Sequence, residues 1–186
     1  MKRHLPKVCL SLLLAFLIIQ IMGMSSSTVA EKPTMTVEQA QQLIAEDKDM
    51  DTIPRPIWRQ LLTPEQYEIL WDKGTEKPFT GALLNNKAEG IYLTAGCRIP
   101  VFRSDHKYKS GTGWPSFWEV FDANNIVIKT DWSIGIPRKE VLSRCGEHLG
   151  HVFDDGPPPT GLRYCINSDA LVFQPLVSPL PETTSH

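Results

Sequence analysis

Residues 144–167 read RCGEHLGHVFDDGPPPTGLRYCIN and hold the densest set of reactive side chains in the chain. His148 and His151 stand three residues apart, and a proline- and glycine-rich turn then leads to Arg163 and Cys165. In an extended segment, residues two apart point to the same face. The Arg163 guanidinium would therefore lie beside the Cys165 sulfur and favour the thiolate, the nucleophilic form of cysteine. We predict that this stretch forms the active site and that the rest of the chain supports it.

The composition is that of one ordinary globular domain. The chain has 186 residues, of which 41% are hydrophobic and 22% charged, so no second catalytic domain is needed. Its formal net charge is -2, and no run of lysine or arginine occurs beyond the first few residues. This argues against a nucleic-acid surface or a polybasic membrane patch, because both need dense positive charge. A small molecule or a protein is the expected partner.

The N-terminal segment reads as an export signal. Basic residues at positions 2–7 precede the apolar run 8–24, and Thr28-Val29-Ala30 offers a cleavage site. Cys9 lies inside the apolar run and is counted as part of the signal. Cleavage and retention as a membrane anchor both remain open, because the run is at the long end of the range for a signal. Either outcome places the domain outside the cytoplasm, as a periplasmic, secreted or lumenal protein.

Two helices are predicted in the polar segment that follows. Thr36 begins the first, and Gln39 completes its capping box. Thr63 begins the second, with a proline at the first helical position and Gln66 in the capping box, and Gly74 ends it. Residues 47–56 between the helices are charged and contain proline, which predicts a linker.

After Gly74 the sequence consists of short apolar or β-branched runs separated by turn residues, a pattern that predicts strands. These runs are residues 90–94, 101–102, 117–121, 126–129, 131–136 and 170–175. Helices come first and strands afterwards, which predicts a mainly β, mostly antiparallel domain with short helices at its N-terminal end. We divide the chain into residues 1–30 (signal or anchor), 31–61 (helical extension and linker), 62–177 (catalytic domain) and 178–186 (disordered tail).

A second constellation lies in SGTGWPSFW, residues 110–118. Its glycines and proline fix a turn, and Trp114 is held between Gly113 and Pro115, where few neighbours could bury it. The indole could therefore form an apolar wall for a methyl or thioether group of a ligand. A core tryptophan is the alternative interpretation for a lone residue of this type.

With these motifs in view, the chain resembles the B-type methionine sulfoxide reductases, which reduce the R epimer of methionine sulfoxide. The motifs that carry the resemblance are LTPEQY (62–67), GTE (74–76), GWPSF (113–117), HLGHVF (148–153) and GLRYCIN (161–167). They extend over roughly residues 62–175. The resemblance implies a fold of two antiparallel sheets with N-terminal helices.

The resemblance also implies roles for individual residues. Cys165 would attack the sulfoxide sulfur, and His151, supported by His148, would protonate or hydrogen-bond the sulfoxide oxygen. An imidazole suits this task because it titrates near neutral pH. Trp114, with Phe117 from the same motif, would contact the substrate methyl group.

Two further positions orient the site in this family, and here they are Asn167 and Asp155. Asp154 stands where a proline is common in the family. Which of the two aspartates acts is therefore open at this stage.

The implied product is methionine plus a sulfenic acid on Cys165, which another thiol must reduce. We expect no bound cofactor and an external, thioredoxin-like thiol donor. The thiol in this family often comes from a cysteine at the position of Thr112, so the recycling route is open. Oxidised proteins or free methionine sulfoxide are the expected substrates, and a membrane is a partner only if the N-terminal segment is retained.

Relatives that bind zinc carry two Cys-x-x-Cys pairs. At those positions this chain has Thr94 with Cys97 and Leu142 with Cys145, so the first cysteine of each pair is lost. The resemblance therefore implies that Cys97 and Cys145 lie close enough to form a disulfide, which an exported location permits. The rival interpretation is that one of them is the resolving thiol for Cys165.

Two other interpretations stay open. Cys145, His148 and His151 have the spacing Cys-x-x-His-x-x-His and could be metal ligands, although no fourth ligand stands at a companion spacing. A non-catalytic binding module of the same β fold could use the Trp114 pocket to hold a ligand. The intact, arginine-flanked Cys165 argues against the second interpretation, because a pure binding protein has no use for it.

Overall fold

The computed structural model describes residues 35–176. The export segment expected at residues 1–30 and the tail expected at 178–186 lie outside the described residues. None of the helices within residues 35–176 is both long enough and apolar enough to cross a membrane.

Within residues 35–176, three short α-helices precede the sheets: α1 (Val37–Ala45), α2 (Arg55–Leu61) and α3 (Pro64–Asp72). Both predicted capping boxes are present, at Thr36 and at Thr63, so helices α1 and α3 begin where the sequence places them. Helix α3 ends at Lys73, whose φ of 60° closes the helix, and not through the neighbouring glycine as predicted.

Helix α2 was not predicted, and its first two residues lie in the segment 47–56 that was interpreted as a linker. Its capping residue is Pro54, and a further proline occupies its first turn, where a missing N–H costs nothing. The side chains of Ile57 and Trp58 are buried. Burial of these two residues in the tertiary structure therefore stabilises a helix that the local sequence does not predict.

Nine strands form two antiparallel sheets within the described residues, which confirms the predicted fold class. The smaller sheet has the order β2-β1-β9 and the larger one the order β3-β4-β8-β7-β6-β5. The strands are β1 (Gly90–Thr94), β2 (Pro100–Arg103), β3 (Lys107–Tyr108), β4 (Ser116–Phe117), β5 (Ile126–Asp131), β6 (Arg138–Ser143), β7 (His148–Phe153), β8 (Arg163–Ile166) and β9 (Leu171–Pro175).

Two strand predictions were wrong in their bounds. Strand β4 stops at Phe117, well short of the predicted residue 121. A strand was predicted at residues 131–136, but only Asp131 belongs to a strand, β5, and residues 132–136 lie in the turn between β5 and β6. The Asp131 carboxylate accepts a hydrogen bond from the backbone N–H of Ser133, and Gly135 has a φ of 80°, so the chain reverses here.

The main core lies where the two sheets meet. Phe102 of β2 stacks on Phe117 of β4 with ring centroids 4.3 Å apart, and Tyr92 of β1 meets Phe117 edge-on at 5.0 Å. Phe117 is fully buried, so its expected role in binding substrate is not supported. It follows Ser116 on the strand and therefore points to the opposite face, into the core.

A disulfide between Cys97 and Cys145 joins the two sheets. Cys97 lies in the turn between β1 and β2, and Cys145 lies in the turn between β6 and β7. The two α-carbons are 6.8 Å apart, within the limit of about 7 Å for a bridge without backbone movement.

Candidate active site

The larger sheet brings the predicted site residues into one row. Cys165 on β8 is directly opposite His151 on β7 and directly opposite Ser116 on β4. Glu140 on β6 is in turn opposite His151. Residues opposite each other in an antiparallel pair have Cβ atoms about 4.5–5.5 Å apart on the same face. The thiol is therefore flanked by an imidazole on one side and by a hydroxyl on the other.

Gly150 allows this row to form, because it permits close approach of strands β7 and β8. A Cβ atom at residue 150 would lie 2.1 Å from the carbonyl oxygen of Cys165. Any other residue would push β8 away from β7 and break the pairing that sets Cys165 opposite His151.

Hydroxyl groups line the other side of the thiol. The Cys165 Sγ lies 3.8 Å from Thr112 Oγ1. Thr112 Oγ1 lies 2.9 Å from Ser110 Oγ, which also lies 2.7 Å from Ser116 Oγ. Thr112 thus places a hydroxyl group, and not a second thiol, beside Cys165.

Burial raises the pKa of the Cys165 thiol above its ordinary value. The hydrogen bond with Thr112 and the positive charge of Arg163 both act to lower this pKa, but burial outweighs them. Arg163 therefore favours the thiolate, as expected, but does not by itself make the resting cysteine a thiolate. The direction of its effect is as predicted, yet the sulfur rests as a thiol at neutral pH.

Arg163 is held mainly by Asp155. The guanidinium Nε donates to Asp155 Oδ1 at 2.8 Å, and Nη2 donates to Asp155 Oδ2 at 2.9 Å. The same guanidinium lies 4.3 Å above the ring of Phe153. Asp154 instead pairs with Lys139 on the surface. The structure therefore assigns Asp155, of the two aspartates, to the neighbourhood of Cys165.

His148 is buried and paired with Glu140, a residue that the sequence did not single out. His148 Nδ1 lies 2.8 Å from Glu140 Oε1, and the ammonium of Lys73 donates to Glu140 Oε2 at 2.9 Å. Burial alone would raise the pKa of Glu140, but the bonds from Lys73 and His148 outweigh it and leave this pKa below its ordinary value. Burial lowers the pKa of His148 despite its carboxylate partner. A neutral His148 therefore donates its Nδ1–H to an ionised Glu140.

His151 is paired with a second carboxylate that sequence reasoning missed. Its Nε2 lies 2.9 Å from Oδ2 of Asp131, and Arg138 Nη2 donates to the same oxygen at 2.6 Å. The backbone N–H of Ser133 and then His151 hold the pKa of Asp131 well below its usual range. The carboxylate is therefore ionised and accepts the Nε2–H of His151, which leaves Nδ1 as the proton-accepting nitrogen. This Nδ1 has no hydrogen-bond partner within the part of the chain that the structure describes.

Trp114 is half-buried, and its ring is fixed by the segment that follows α3. The indole Nε1 donates to the carbonyl oxygen of Glu76 at 3.1 Å. The backbone N–H of Phe79 donates to the carbonyl oxygen of Gly113 at 2.8 Å. The indole is thus oriented by backbone contacts without being enclosed by the core.

Asn167 is buried beside the same segment. Its Oδ1 accepts from the backbone N–H of Glu76 at 3.1 Å, and its Nδ2 donates to the carbonyl oxygen of Leu149 at 3.1 Å. The carboxylate of Glu76 accepts from the backbone N–H groups of Ser168 and Asp169. Asn167 therefore joins the Trp114-supporting segment to β7, which fits an orienting role.

The metal-binding interpretation of the histidines does not fit this geometry. Cys145 is bonded to Cys97, while His148 and His151 each face a carboxylate. Of the four positions that the resemblance relates to zinc ligands, Leu142 has no ligand atom. Among the described residues, the cluster there consists of the two cysteines and Glu147, with ligand atoms within 4.8 Å of one another.

Glu147 is fully buried beside the disulfide. Its Oε1 accepts from the backbone N–H groups of Gly96 and Cys97 at 2.9 and 2.8 Å, and its Oε2 accepts from Ser143 Oγ at 2.9 Å. Burial raises the pKa of this carboxyl above its ordinary value despite these bonds. Glu147 therefore fastens the turn that carries Cys97 to the turn that carries Cys145.

Comparison with known proteins agrees with this site. A family model described as the SelR domain matches residues 62–175. Peptide methionine sulfoxide reductase MsrB of Methanosarcina barkeri is 55% identical over 118 residues, which cover 63% of this chain and 83% of the relative. The protein of the same name from Thiobacillus denitrificans is 56% identical over 119 residues, which cover 63% and 90%.

A plant relative matches over a longer part of the chain. Peptide methionine sulfoxide reductase B1, chloroplastic, of Arabidopsis thaliana is 45% identical over 155 residues, which cover 82% of this chain and 73% of the relative. The family model covers more than half of the chain, and the identities are high over most of each relative's length. The chain therefore belongs to the SelR domain family, the B-type methionine sulfoxide reductases.

Proposed function

We propose that this chain reduces the R epimer of methionine sulfoxide in proteins to methionine, with Cys165 as the nucleophile. The relatives are named as peptide methionine sulfoxide reductases. The observation that carries the proposal is the strand pairing that sets the Cys165 thiol opposite His151. Family membership and this pairing favour the enzyme over a non-catalytic binding module.

The first step transfers oxygen from the substrate sulfur to Cys165. The Cys165 sulfur attacks the sulfoxide sulfur and forms a sulfur–sulfur bond. The protonated oxygen then passes from the substrate sulfur to the Cys165 sulfur as the sulfur–sulfur bond breaks, which leaves a sulfenic acid on Cys165 and a thioether as the product. Two electrons pass from the cysteine sulfur to the sulfoxide, and the thiol proton ends on the sulfenic oxygen. No additional proton is required overall.

His151 is suited to move that proton. Because the resting sulfur is a thiol, a base must remove its proton as attack begins, and the sulfoxide oxygen must gain one as its bond breaks. The Nδ1 of His151 accepts the proton and returns it to the oxygen. The ionised Asp131, bonded to Nε2, stabilises the imidazolium formed in between. His148, neutral and fixed by Glu140, supports the ring of His151, which lies 5.4 Å away between ring centroids.

A second thiol then reduces the sulfenic acid, with release of water and formation of a disulfide. An external, thioredoxin-like donor is proposed for this step. Cys97 and Cys145 are unsuitable as this donor, because their disulfide is distant from Cys165. Cys145 precedes the first residue of β7, His148, and His151, which faces Cys165, is about 10 Å further along that strand at about 3.3 Å per residue.

We further propose that the domain works outside the cytoplasm, either released or attached by its N-terminal segment. The apolar run at residues 8–24 supports this location. Fractionation of cells that express the full chain, with N-terminal sequencing of the mature protein, distinguishes the two forms.

Turnover tests the activity most simply. The purified protein is incubated with dithiothreitol and with each epimer of N-acetylmethionine sulfoxide, and the thioether product is quantified. Consumption of the R epimer alone, abolished by Cys165→Ser, is expected. Equal consumption of both epimers, or wild-type turnover by the serine variant, contradicts the proposal.

A further inference from the structure

The turn between β5 and β6 exposes three large apolar side chains. Trp132, Ile134 and Ile136 have 64%, 59% and 59% of their surface accessible, respectively. We call residues 132–136 the hairpin tip. Single exposed apolar residues are normal on proteins, but a contiguous apolar patch indicates a binding surface. The tip contributes no packing to the described core that would account for these three side chains.

The hairpin tip is attached directly to the catalytic row. Asp131 ends β5 immediately before the tip and bonds to His151 Nε2 at 2.9 Å. Arg138 begins β6 just after the tip and bonds to the same Asp131 oxygen at 2.6 Å. Both ends of the tip are therefore fixed beside the imidazole that faces Cys165. A polypeptide whose oxidised side chain reached Cys165 could therefore contact this surface with its neighbouring residues.

The charge of the tip defines the kind of partner. Residues 132–136 read WSIGI and carry no charged side chain. The charges at the base, Asp131 and Arg138, neutralise each other. An apolar, uncharged segment could therefore cover the tip without desolvating an unpaired charge, whereas a strongly charged segment would gain nothing there.

We propose that the hairpin tip binds apolar side chains of the polypeptide that carries the methionine sulfoxide, so that the enzyme prefers oxidised sites in exposed hydrophobic segments. This inference rests on the proposed function, since it names the substrate class of the same site. Methionine lies mostly in apolar surroundings of folded proteins, so such segments become accessible when a damaged protein unfolds. The apolar tip then contributes binding that a free amino acid cannot use.

The test compares peptides that differ only beside the oxidised residue. Two ten-residue peptides of equal charge carry one methionine sulfoxide, flanked by leucine and valine in one and by glycine and serine in the other. Values of kcat/KM are measured for both peptides and for N-acetylmethionine sulfoxide. The variants are Trp132→Ser/Ile134→Ser and, as a matched control, Ile128→Ser/Leu176→Ser, which removes two exposed apolar side chains elsewhere.

The wild-type protein should prefer the apolar peptide by about tenfold or more, the scale expected for burying one large apolar side chain. The tip variant should lose this preference and keep its activity on N-acetylmethionine sulfoxide within about twofold. The control variant should retain the preference. An equal loss on all three substrates would show that the tip acts only by holding Asp131, and an undiminished preference would show that it does not bind the peptide; both outcomes overturn the proposal.

Binding measured without turnover separates this proposal from the proposed function. Fluorescence anisotropy of the labelled peptides in their reduced, methionine form reports docking alone. Tip-dependent binding with no reduction of any substrate would retain the docking surface and reject the activity. Tip-dependent sedimentation with anionic phospholipid vesicles, or tip-dependent dimerisation in analytical ultracentrifugation, without peptide binding, would assign the surface to a membrane or to a second copy and overturn the proposal.

Discussion

Removal of the disulfide between Cys97 and Cys145 should lower the stability of the fold without changing the rate of methionine sulfoxide reduction. The Cys97→Ala/Cys145→Ala variant opens a loop closed over a sequence separation of 48 residues. In the chain-entropy model, a bridge over such a loop restricts the unfolded chain by about 4 kcal/mol at 25 °C. Native strain commonly reduces this contribution, so a loss of about 2–4 kcal/mol in the free energy of unfolding is expected. For a domain of this size, the loss corresponds to a fall in melting temperature of roughly 4–16 °C.

Urea unfolding followed by tryptophan fluorescence measures this difference. The wild-type protein is compared with the variant in the absence of reductant, and then both are compared in a phosphine reductant. The reduced wild type should approach the variant, because both then lack the bridge, while the variant itself should not respond to the reductant. The buried Glu147 keeps its backbone donors in both proteins, so the change is confined to the covalent link.

Activity decides between a structural pair and a resolving thiol. The variant should reduce methionine sulfoxide at the wild-type rate at 15 °C, both in a single turnover and with an external donor. A stability loss below about 1 kcal/mol would refute the structural reasoning. Normal formation of the sulfenic acid with failed recycling would show instead that one of these cysteines resolves Cys165.

Three other changes test the catalytic row. His151→Ala should slow reduction by about two to four orders of magnitude and more than His148→Ala does, because only His151 is opposite the thiol; a loss below tenfold for both variants refutes the proton-transfer role. The rate of Cys165 alkylation by iodoacetamide should rise with pH along a titration midpoint above the ordinary value of about 8.5, because burial raises the pKa, and Arg163→Met should move the midpoint higher still. A midpoint below the ordinary value would contradict this. Trp114→Ala should lower kcat/KM chiefly through KM, and an unchanged kcat/KM would show that the indole only packs.

The helices and the mainly β fold class could be predicted because their signals are local. Thr36 and Thr63 each have a glutamine three residues later, and both capping boxes form as read from the sequence. Helix α2 was not predicted because it is stabilised by the burial of Trp58, and this burial is not visible in the local sequence pattern. The run 131–136 alternates like a strand, but an aspartate-serine turn and Gly135 reverse the chain there.

The reactive residues of the site were predictable, whereas their partners were not. Cys165 and His151 stand in short motifs, whereas Glu140 and Asp131 lie outside those motifs, 8 and 20 residues before the histidines that they contact. Only the register of the larger sheet places these carboxylates beside the two imidazoles. The alternation that brought Arg163 towards Cys165 was correct, yet the balance between its charge and the burial of the sulfur depended on the tertiary structure.

The central claim is that Cys165 takes the oxygen of the substrate, and a single turnover without reductant tests it most directly. The protein is mixed with the R epimer of N-acetylmethionine sulfoxide, quenched with a reagent that traps sulfenic acids, and mapped by mass spectrometry. The account predicts one thioether released per chain and one trapped sulfenic acid, located on Cys165 and absent from Cys165→Ser. Thioether formation with Cys165 unmodified, or with the label on another residue, would contradict it.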